Sequence, residues 1–94
     1  MTYKIAFKES ALKEWRKLNP TLQEQFKKSL KERLKAPHVP SAKLAGLKNC
    51  YKIKLRAAGY RLVYEVQDQQ LVVIVIAIGK REGGEVYSRV RDRL

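Results

Sequence analysis

The spacing of apolar residues divides the first half of the chain into one strand and two helices. From Thr2 to Lys8 apolar and polar residues alternate, which is typical of a half-buried strand. Apolar residues then recur at helical spacing: Ala11, Leu12, Trp15 and Leu18, followed by Leu22, Phe26, Leu30 and Leu34. Asn19-Pro20 separates the two helices, because Asn caps a helix well and Pro is favoured at its first position. Ala36-Pro37 ends the second helix.

The second half of the chain predicts three strands and a short helix. Tyr51–Arg56 and Tyr60–Val66 alternate on either side of Ala57-Ala58-Gly59, as in a β-hairpin. Leu71–Ile78 is apolar on both faces, which indicates a central strand covered on both sides. In the tail, an amphipathic helix is predicted from three apolar residues spaced four apart: Val86, Val90 and Leu94.

The resulting order, β-α-α-β-β-β-α, predicts an α+β fold. An antiparallel sheet is packed by an N-terminal helical hairpin and a short C-terminal helix. With 94 residues the chain has room for one core, so residues 1–94 are expected to form a single domain. Leu44 and Leu47 are expected to anchor the connection from Pro37 to Lys48 to that core.

The net charge is the most unusual feature of the composition. Twenty-one Lys and Arg against nine Asp and Glu give +12, a surface that favours a polyanion or an acidic partner. Cys50 is the only cysteine and no metal-ligand spacing is present, so no disulfide, metal or cofactor is expected. The longest apolar run has eight residues and no signal-peptide core is present, so a cytoplasmic protein without a membrane partner is expected.

Strand register predicts that several cations share one face of the sheet. In the first hairpin strand Ile53 and Leu55 take the core face, and the opposite face carries Lys52, Lys54 and Arg56. The returning strand must direct three residues to the core: Leu62, Tyr64 and Val66. A slip by one residue would invert this set, so Arg61 joins the face of Lys52 and Lys54. A two-residue turn places Arg61 directly opposite Lys54, and a four-residue turn places it diagonally.

The position of Arg81 depends on the next turn. A three-residue loop, Asp68–Gln70, pairs Gln67 with Leu71 and directs Arg81 to the cationic face, whereas a two-residue loop turns it away. On the three-residue register the core face holds Val72, Ile74, Ile76 and Ile78, and the cationic face holds Val73, Val75, Ala77, Gly79 and Arg81. In that register the small residues Ala77 and Gly79 leave a shallow floor.

A set of like charges on one sheet face is destabilising, so stability alone gives no reason to gather them. A phosphate between the cations would relieve their repulsion, and together with Tyr87 the set therefore predicts a phosphodiester site. The alternative is a solvated face whose lysines protect a sheet edge from aggregation.

Four segments resemble the RelE family of bacterial toxins. They are Lys13-Glu-Trp-Arg-Lys-Leu18, Cys50-Tyr-Lys-Ile-Lys-Leu-Arg56, Gly59-Tyr-Arg-Leu-Val-Tyr64, and Gly79-Lys-Arg-Glu82 followed by Val86-Tyr87. The resemblance covers essentially the whole chain, and the second and third segments are specific to RelE proper. Gly-Lys-Arg alone also fits the wider RelE/ParE superfamily, which includes toxins that poison DNA gyrase. The resemblance implies the microbial-RNase-like RelE fold.

The same resemblance implies a toxin of a type II toxin–antitoxin system. Such a toxin cleaves mRNA in the ribosomal A site, by attack of a 2′-hydroxyl on the adjacent phosphate, and so inhibits translation. At the matching positions Lys52 and Lys54 are the site lysines, Arg61 and Arg81 clamp the phosphate, and Tyr87 stacks on a base. The implied partners are the 70S ribosome with mRNA in its A site, an acidic RelB-like antitoxin, and operator DNA only through the antitoxin complex. Ala45 departs from the pattern, because related toxins often carry a basic residue there.

The remaining residues divide into cations that could meet RNA and residues with ordinary structural roles. Contacts to RNA or the ribosome are expected for Lys27, Lys28, Lys31, Lys35, Lys43 and Arg56. No catalytic role is expected for His38, which has no second histidine, or for Cys50, which has no His–acid pair. Trp15 is expected in the core. Two alternative functions remain: a non-catalytic ParE-like toxin that binds a protein target such as DNA gyrase, and a simple RNA-binding module.

Overall fold

The computed structural model describes residues 2–80 and 85–94. Its elements are strand β1 (Lys4–Phe7), helix α1 (Glu9–Arg16), helix α2 (Pro20–Lys35), a short 3₁₀ helix (Pro40–Ala42), strands β2 (Cys50–Leu55), β3 (Tyr60–Gln67) and β4 (Val72–Lys80), and helix α3 (Glu85–Arg93). This order confirms the predicted α+β fold. Arg56, predicted at the end of a strand, lies in the turn that follows β2.

The strands form a four-stranded sheet in the order β1-β4-β3-β2. The antiparallel arrangement predicted for β2, β3 and β4 is confirmed. β1 runs parallel to β4, from the Lys4–Val72 pair to the Phe7–Val75 pair, so the sheet is mixed and the antiparallel prediction is wrong for this strand. Parallel neighbours need a long connection, which α1, α2 and the β2–β3 hairpin provide.

Asn19 and Pro20 separate α1 from α2, as the sequence predicts. The Asn19 side-chain oxygen accepts a hydrogen bond from the Leu22 backbone N–H at 2.9 Å, and Pro20 is the first residue of α2. α2 ends at Lys35, just before Ala36-Pro37. At 16 residues it is the longest helix in the described ranges, and no helix in those ranges is long and apolar enough to cross a bilayer.

Both faces of the sheet are covered, which confirms β4 as a central strand buried on both sides. On the first face, called here the α1–α2 face, the core includes Ala11, Leu22, Phe26, Leu30, Ile53, Leu62 and Tyr64. Trp15 is half-buried against this core, with its ring 5.5 Å from that of Phe7, so its predicted core position is confirmed.

On the second face, called here the α3 face, α3 packs on the sheet together with the loop before β2. The core there includes Leu44, Cys50, Val63, Ile76, Ala77, Val86 and Val90, with Leu47 packed against it. The predicted anchors Leu44 and Leu47 are therefore confirmed. Leu94 is not an anchor, because α3 ends at Arg93 and the Leu94 side chain is 51% exposed.

Two irregularities separate β4 from its predicted register. Gln67 pairs with Val72, so the turn has four residues, 68–71, where the sequence predicts three. A β-bulge then shifts the register between Val63 and Tyr64, which leaves Ile76 as the extra residue of β4. Each irregularity moves the pairing by one residue, so the two together restore the predicted parity at the end of the strand.

These shifts reassign part of β4 between the two faces. Between the turn and the bulge the prediction is wrong: Val73 and Val75 pack on the α1–α2 face, whereas Ile74 and Ile76 pack on the α3 face. Beyond the bulge the prediction is correct, since Ile78 joins the core of the α1–α2 face.

Candidate active site

Cations from two neighbouring strands meet on the α3 face. Lys52 and Lys54 lie on β2, Arg61 lies on β3, and Lys54 pairs directly with Arg61. This is the direct pairing predicted for a two-residue turn. The turn has four residues, 56–59, so the prediction that a four-residue turn places Arg61 diagonally is wrong. Their neighbours Ile53 and Leu62 are buried on the α1–α2 face, and successive side chains of a strand point to opposite faces, so the three cations share the other side. We call these three residues and Tyr87 the cation cluster.

The surroundings of Lys54 favour its neutral form. Charge repulsion from Lys52 and then from Arg61 lowers the pKa of Lys54, and desolvation and Arg56 act in the same direction. A lysine with a lowered pKa has a larger neutral fraction near neutral pH and can then accept a proton. Crowding by neighbouring cations thus favours the neutral form of Lys54.

Tyr87 brings α3 into contact with the strand cations. Arg61 Nη1 donates a hydrogen bond to the Tyr87 hydroxyl at 2.6 Å, and the guanidinium carbon lies 5.5 Å from the centre of the Tyr87 ring. α3 can approach because Gly79, opposite Arg61, has no side chain: a Cβ there would lie 2.9 Å from Val86 Cγ2. The predicted shallow floor at Ala77 and Gly79 is thus occupied by α3.

Two hollows flank Arg61. The first, of about 270 Å³, lies at the β2–β3 turn and is lined in part by Lys54, Arg56 and Arg61; we call it the turn hollow. The second, of about 280 Å³, lies between α3 and the loop 44–47 and is lined in part by Lys52, Arg61, Tyr87 and Arg91; we call it the α3 hollow. Arg61 lines both, so two positively charged hollows meet at one guanidinium.

The other cations predicted to contact RNA are distributed over the molecule. Exposed lysines follow α2 on the α1–α2 side of the sheet: Lys27, Lys28, Lys31 and Lys35. Lys43 lies beside the β2 edge, opposite Tyr51. Among these predicted contacts Arg56 alone lines a hollow with Arg61. Arg81, predicted to share the cationic face, lies outside the described residues.

The contacts of His38 and the burial of Cys50 account for these two residues without a catalytic role. The His38 ring lies 2.7 Å from the Tyr51 hydroxyl and 2.7 Å from the Asp68 carboxylate, on the side of the sheet opposite the cation cluster. Burial, assisted by Glu65, raises the pKa of the Cys50 thiol to about 11, which disfavours the reactive thiolate.

An ion-pair network between α1 and α3 escapes prediction because it joins residues distant in the sequence. Glu14 accepts hydrogen bonds from Arg89 at 2.5 Å and from Arg93 at 2.9 Å. Glu14 also accepts from the Ile78 N–H at 3.1 Å, and Arg93 donates to the Ile76 carbonyl at 2.8 Å. These backbone groups lie on the edge of β4 beyond the end of β1, so the network covers an otherwise unpaired edge.

Arg33 makes a second set of contacts that the sequence analysis does not predict. Its guanidinium donates to the Lys52 carbonyl at 3.1 Å and to the Tyr64 hydroxyl at 2.9 Å, and so joins α2 to the strand that carries the lysines. A signal was present in the sequence, because Arg33 follows Phe26 by seven residues and Leu30 by three, which puts it on the buried face of α2.

Comparison with known proteins identifies the class to which this fold and cluster belong. Residues 5–83 match the family described as the ParE toxin of type II toxin-antitoxin system, parDE. The whole chain is 55% identical to the mRNA interferase toxin RelE of Escherichia coli K12, over 100% of this chain and 99% of that protein. The mRNA interferase RelE of Shigella flexneri matches to the same extent. The chain therefore belongs to the RelE family of toxins.

Solved structures of E. coli RelE share this architecture. A free-state RelE variant with two arginines replaced by alanine superimposes with a TM-score of 0.93 and 54% identity, over 100% of this chain and 99% of that chain. A chain of the intact E. coli RelBE toxin–antitoxin complex gives a TM-score of 0.83 and 56% identity, over 85% of this chain and 98% of that chain. The RelE fold implied by the sequence resemblance is confirmed.

Proposed function

We propose that this chain is the toxin of a type II toxin–antitoxin system and that it cleaves mRNA in the A site of the ribosome, which stops translation. The observation that carries the proposal is the cation cluster itself. Lys54 pairs directly with Arg61, Arg61 binds the Tyr87 hydroxyl, and the surrounding cations lower the pKa of Lys54. Relatives named mRNA interferases, 55% identical over the whole chain, support the same function.

The proposed reaction forms a bond from the 2′-oxygen of one nucleotide to the adjacent phosphorus and breaks the bond from that phosphorus to the 5′-oxygen of the next. Lys54 accepts the proton of the 2′-hydroxyl, because its neighbours favour the neutral amine. Arg61 donates to the pentavalent phosphate, where negative charge accumulates. Lys52, the other lysine of the cluster, supplies the proton of the leaving 5′-oxygen.

Tyr87 and Arg81 complete the proposed site. The Tyr87 ring stacks on a base beside the scissile bond, while its hydroxyl holds the Arg61 guanidinium in place. Arg81 is assigned from the family resemblance as a second donor to the phosphate.

The proposed setting follows the family as well. Residues 1–94 act as a single toxin domain in the cytoplasm, on a 70S ribosome with mRNA in its A site. An acidic RelB-like antitoxin neutralises the toxin, and operator DNA is met only through that complex; the solved E. coli RelBE complex supports this partner. The exposed lysines of α2, together with Lys43, meet the phosphates of ribosomal RNA.

The test compares cleavage of an mRNA threaded through purified ribosomes with cleavage of the same mRNA free in solution. Cleavage should require the ribosome, because the cation cluster contains no His or carboxylate pair and the 2′-hydroxyl must be positioned largely from outside. Arg61→Ala should lower the rate at least ~100-fold by removing a donor to the transition state, and Arg81→Ala should behave alike.

Arg16→Ala is the matched control, because it removes the same charge from an exposed position on α1 and should leave the rate unchanged. Equal rates on free and ribosome-bound mRNA would refute ribosome dependence. Near-wild-type cleavage by Arg61→Ala would refute the site.

A second candidate is a non-catalytic toxin that binds a protein target such as DNA gyrase, which the match to the ParE toxin family favours. In that case replacement of Lys52, Lys54 or Tyr87 would leave growth inhibition intact. A simple RNA-binding module would instead bind ribosomes without producing cut mRNA ends. Mapping mRNA ends after toxin expression separates both candidates from the proposed nuclease.

A further inference from the structure

The three arginines of α3 have different surroundings. Arg89 and Arg93 form ion pairs with Glu14 on α1, at N–O distances of 2.5 and 2.9 Å. Arg91 is exposed and forms no hydrogen bond or ion pair with any residue that the structure describes. Two of the arginines therefore hold α3 in place, and the third has its charge available to a partner.

Arg91 lies one helical turn after Tyr87 and lines the same hollow. Residues four apart lie on one face of a helix, and both side chains face the α3 hollow together with Lys52 and Arg61. The loop wall of this hollow carries no charge, because it is formed by Leu44, Ala45 and Leu47. Arg91 is thus the cation that α3 itself contributes to this hollow.

We propose that Arg91 binds a backbone phosphate of the mRNA in the α3 hollow, next to the phosphate that reacts at Arg61. This inference rests on the proposed nuclease function and extends its RNA-binding surface. RNA carries a phosphate at every nucleotide, so a strand that crosses Arg61 presents phosphates on both sides of the reacting one. Lys54 and Arg56 meet the strand in the turn hollow, and Arg91 meets it in the α3 hollow.

The composition of the α3 hollow fits one nucleotide of such a strand. Tyr87 offers an aromatic face for a base, and Leu44 and Leu47 offer an apolar wall for the ribose. Without a phosphate, Arg91 would add one more positive charge beside Lys52 and Arg61 with no described partner to offset it. A bound phosphate offsets that repulsion.

The test is single-turnover cleavage of ribosome-bound mRNA as a function of toxin concentration. Arg91→Ala should raise the half-saturating concentration about tenfold, because a charge-assisted hydrogen bond is lost, and should change the maximal rate much less. Arg16→Ala removes the same charge from the other side of the molecule and should change neither quantity. Ala45→Arg, introduced into the Arg91→Ala variant, restores a guanidinium to the same hollow and should recover part of the affinity.

Single methylphosphonate substitutions identify the phosphate that Arg91 contacts. Replacing one phosphate beside the scissile bond by this neutral group should weaken the wild type but leave Arg91→Ala unaffected. The inference is wrong if Arg91→Ala matches Arg16→Ala, or if every substitution weakens both proteins equally. Failure of the proposed function has a different signature, since the wild type would then cut no ribosome-bound message at all.

Discussion

Lys54 differs from the other lysines of the chain in its charged neighbours and not in its burial. Its side chain is exposed, yet Lys52 on its own strand and Arg61 on the facing strand lie close enough to lower its pKa. Solvent and salt screen part of this repulsion, so the effect should be strongest at low ionic strength. The pKa of Lys54 should therefore depend on the charges of Lys52 and Arg61 rather than on the backbone conformation around Lys54.

Replacing Lys52 by Met should raise the pKa of Lys54, because it removes the largest of the repulsive contributions. A titration of lysine ¹³Cε signals by NMR measures this value directly. The folded pKa of Lys54 is lowered, so its protonation destabilises the fold below that pKa, and the penalty disappears as the pH rises toward the unfolded value. Lys52→Met should flatten this rise in stability. Lys17→Met, an exposed position directly after α1, serves as the control, and an unchanged Lys54 pKa in Lys52→Met would contradict the explanation.

The alternation of β2 and β3 was sufficient to place Lys54 and Arg61 on one face, since burial of Ile53 and Leu62 decides which side each strand presents. The alternation leaves their direct pairing open, because the predicted pairing depends on the length of the turn. It could not predict which arginines of α3 bind Glu14 and which one lines the α3 hollow. Long side chains reach several partners from one backbone position, and the sequence offers twenty-one basic residues to choose from.

At the scale of elements, α3 is held by two kinds of contact. Val86 and Val90 are buried on the α3 face, and Arg89 and Arg93 reach past the edge of β4 to Glu14. Burial opposes the charge of Glu14, but hydrogen bonds from Arg93, from the Ile78 N–H and from Arg89 hold its pKa below the usual range. Since Tyr87 lies on α3, these contacts also determine whether Tyr87 reaches Arg61.

Glu14→Gln should loosen α3 while leaving the sheet intact, because Gln keeps the shape and an oxygen for the Ile78 N–H but loses both ion pairs. At neutral pH the free energy of unfolding should fall by about 1–2 kcal/mol, and amides 86–94 should exchange faster. The contribution of Glu14 is complete above the unfolded pKa, about 4.3, and is lost as the pH falls through the lowered folded pKa. The two proteins should therefore converge in acid. Glu24→Gln, in an exposed pair with Lys27, is the control, and a constant difference at all pH values would contradict this account.

β4 shows where pattern reasoning fails at this scale. A strand that is apolar on both faces has no alternation of polar and apolar residues from which its register could be predicted. The sequence pattern therefore predicts neither the four-residue turn nor the bulge. The parallel pairing of β1 is likewise a matter of topology, which residue alternation within the strand cannot reveal.

At the scale of the whole molecule, positive charge covers both sides of the sheet. The cation cluster lies on the α3 face, and the exposed lysines of α2 lie on the other side. A partner that neutralises a chain of +12 should be acidic where it docks. Such a partner could compete for the contacts that hold α3, because its carboxylates could replace Glu14 as the ion-pair partner of Arg89 and Arg93.

We predict that the antitoxin inhibits by displacing α3, which removes Tyr87 from Arg61. Two buried valines, at ~1.5–3 kcal/mol each as an upper estimate, and the Glu14 ion pairs oppose this displacement, and Leu94 adds little because it is exposed. The apolar stripe of a partner helix can pack against Ala77 and Gly79 in place of Val86 and Val90. Hydrogen exchange of the complex is the measurement: amides 86–94 should lose protection, while those of β2 and β3 keep theirs. Gained protection across 86–94, with the Arg61–Tyr87 contact intact, would instead mean that the antitoxin covers the site without moving the helix.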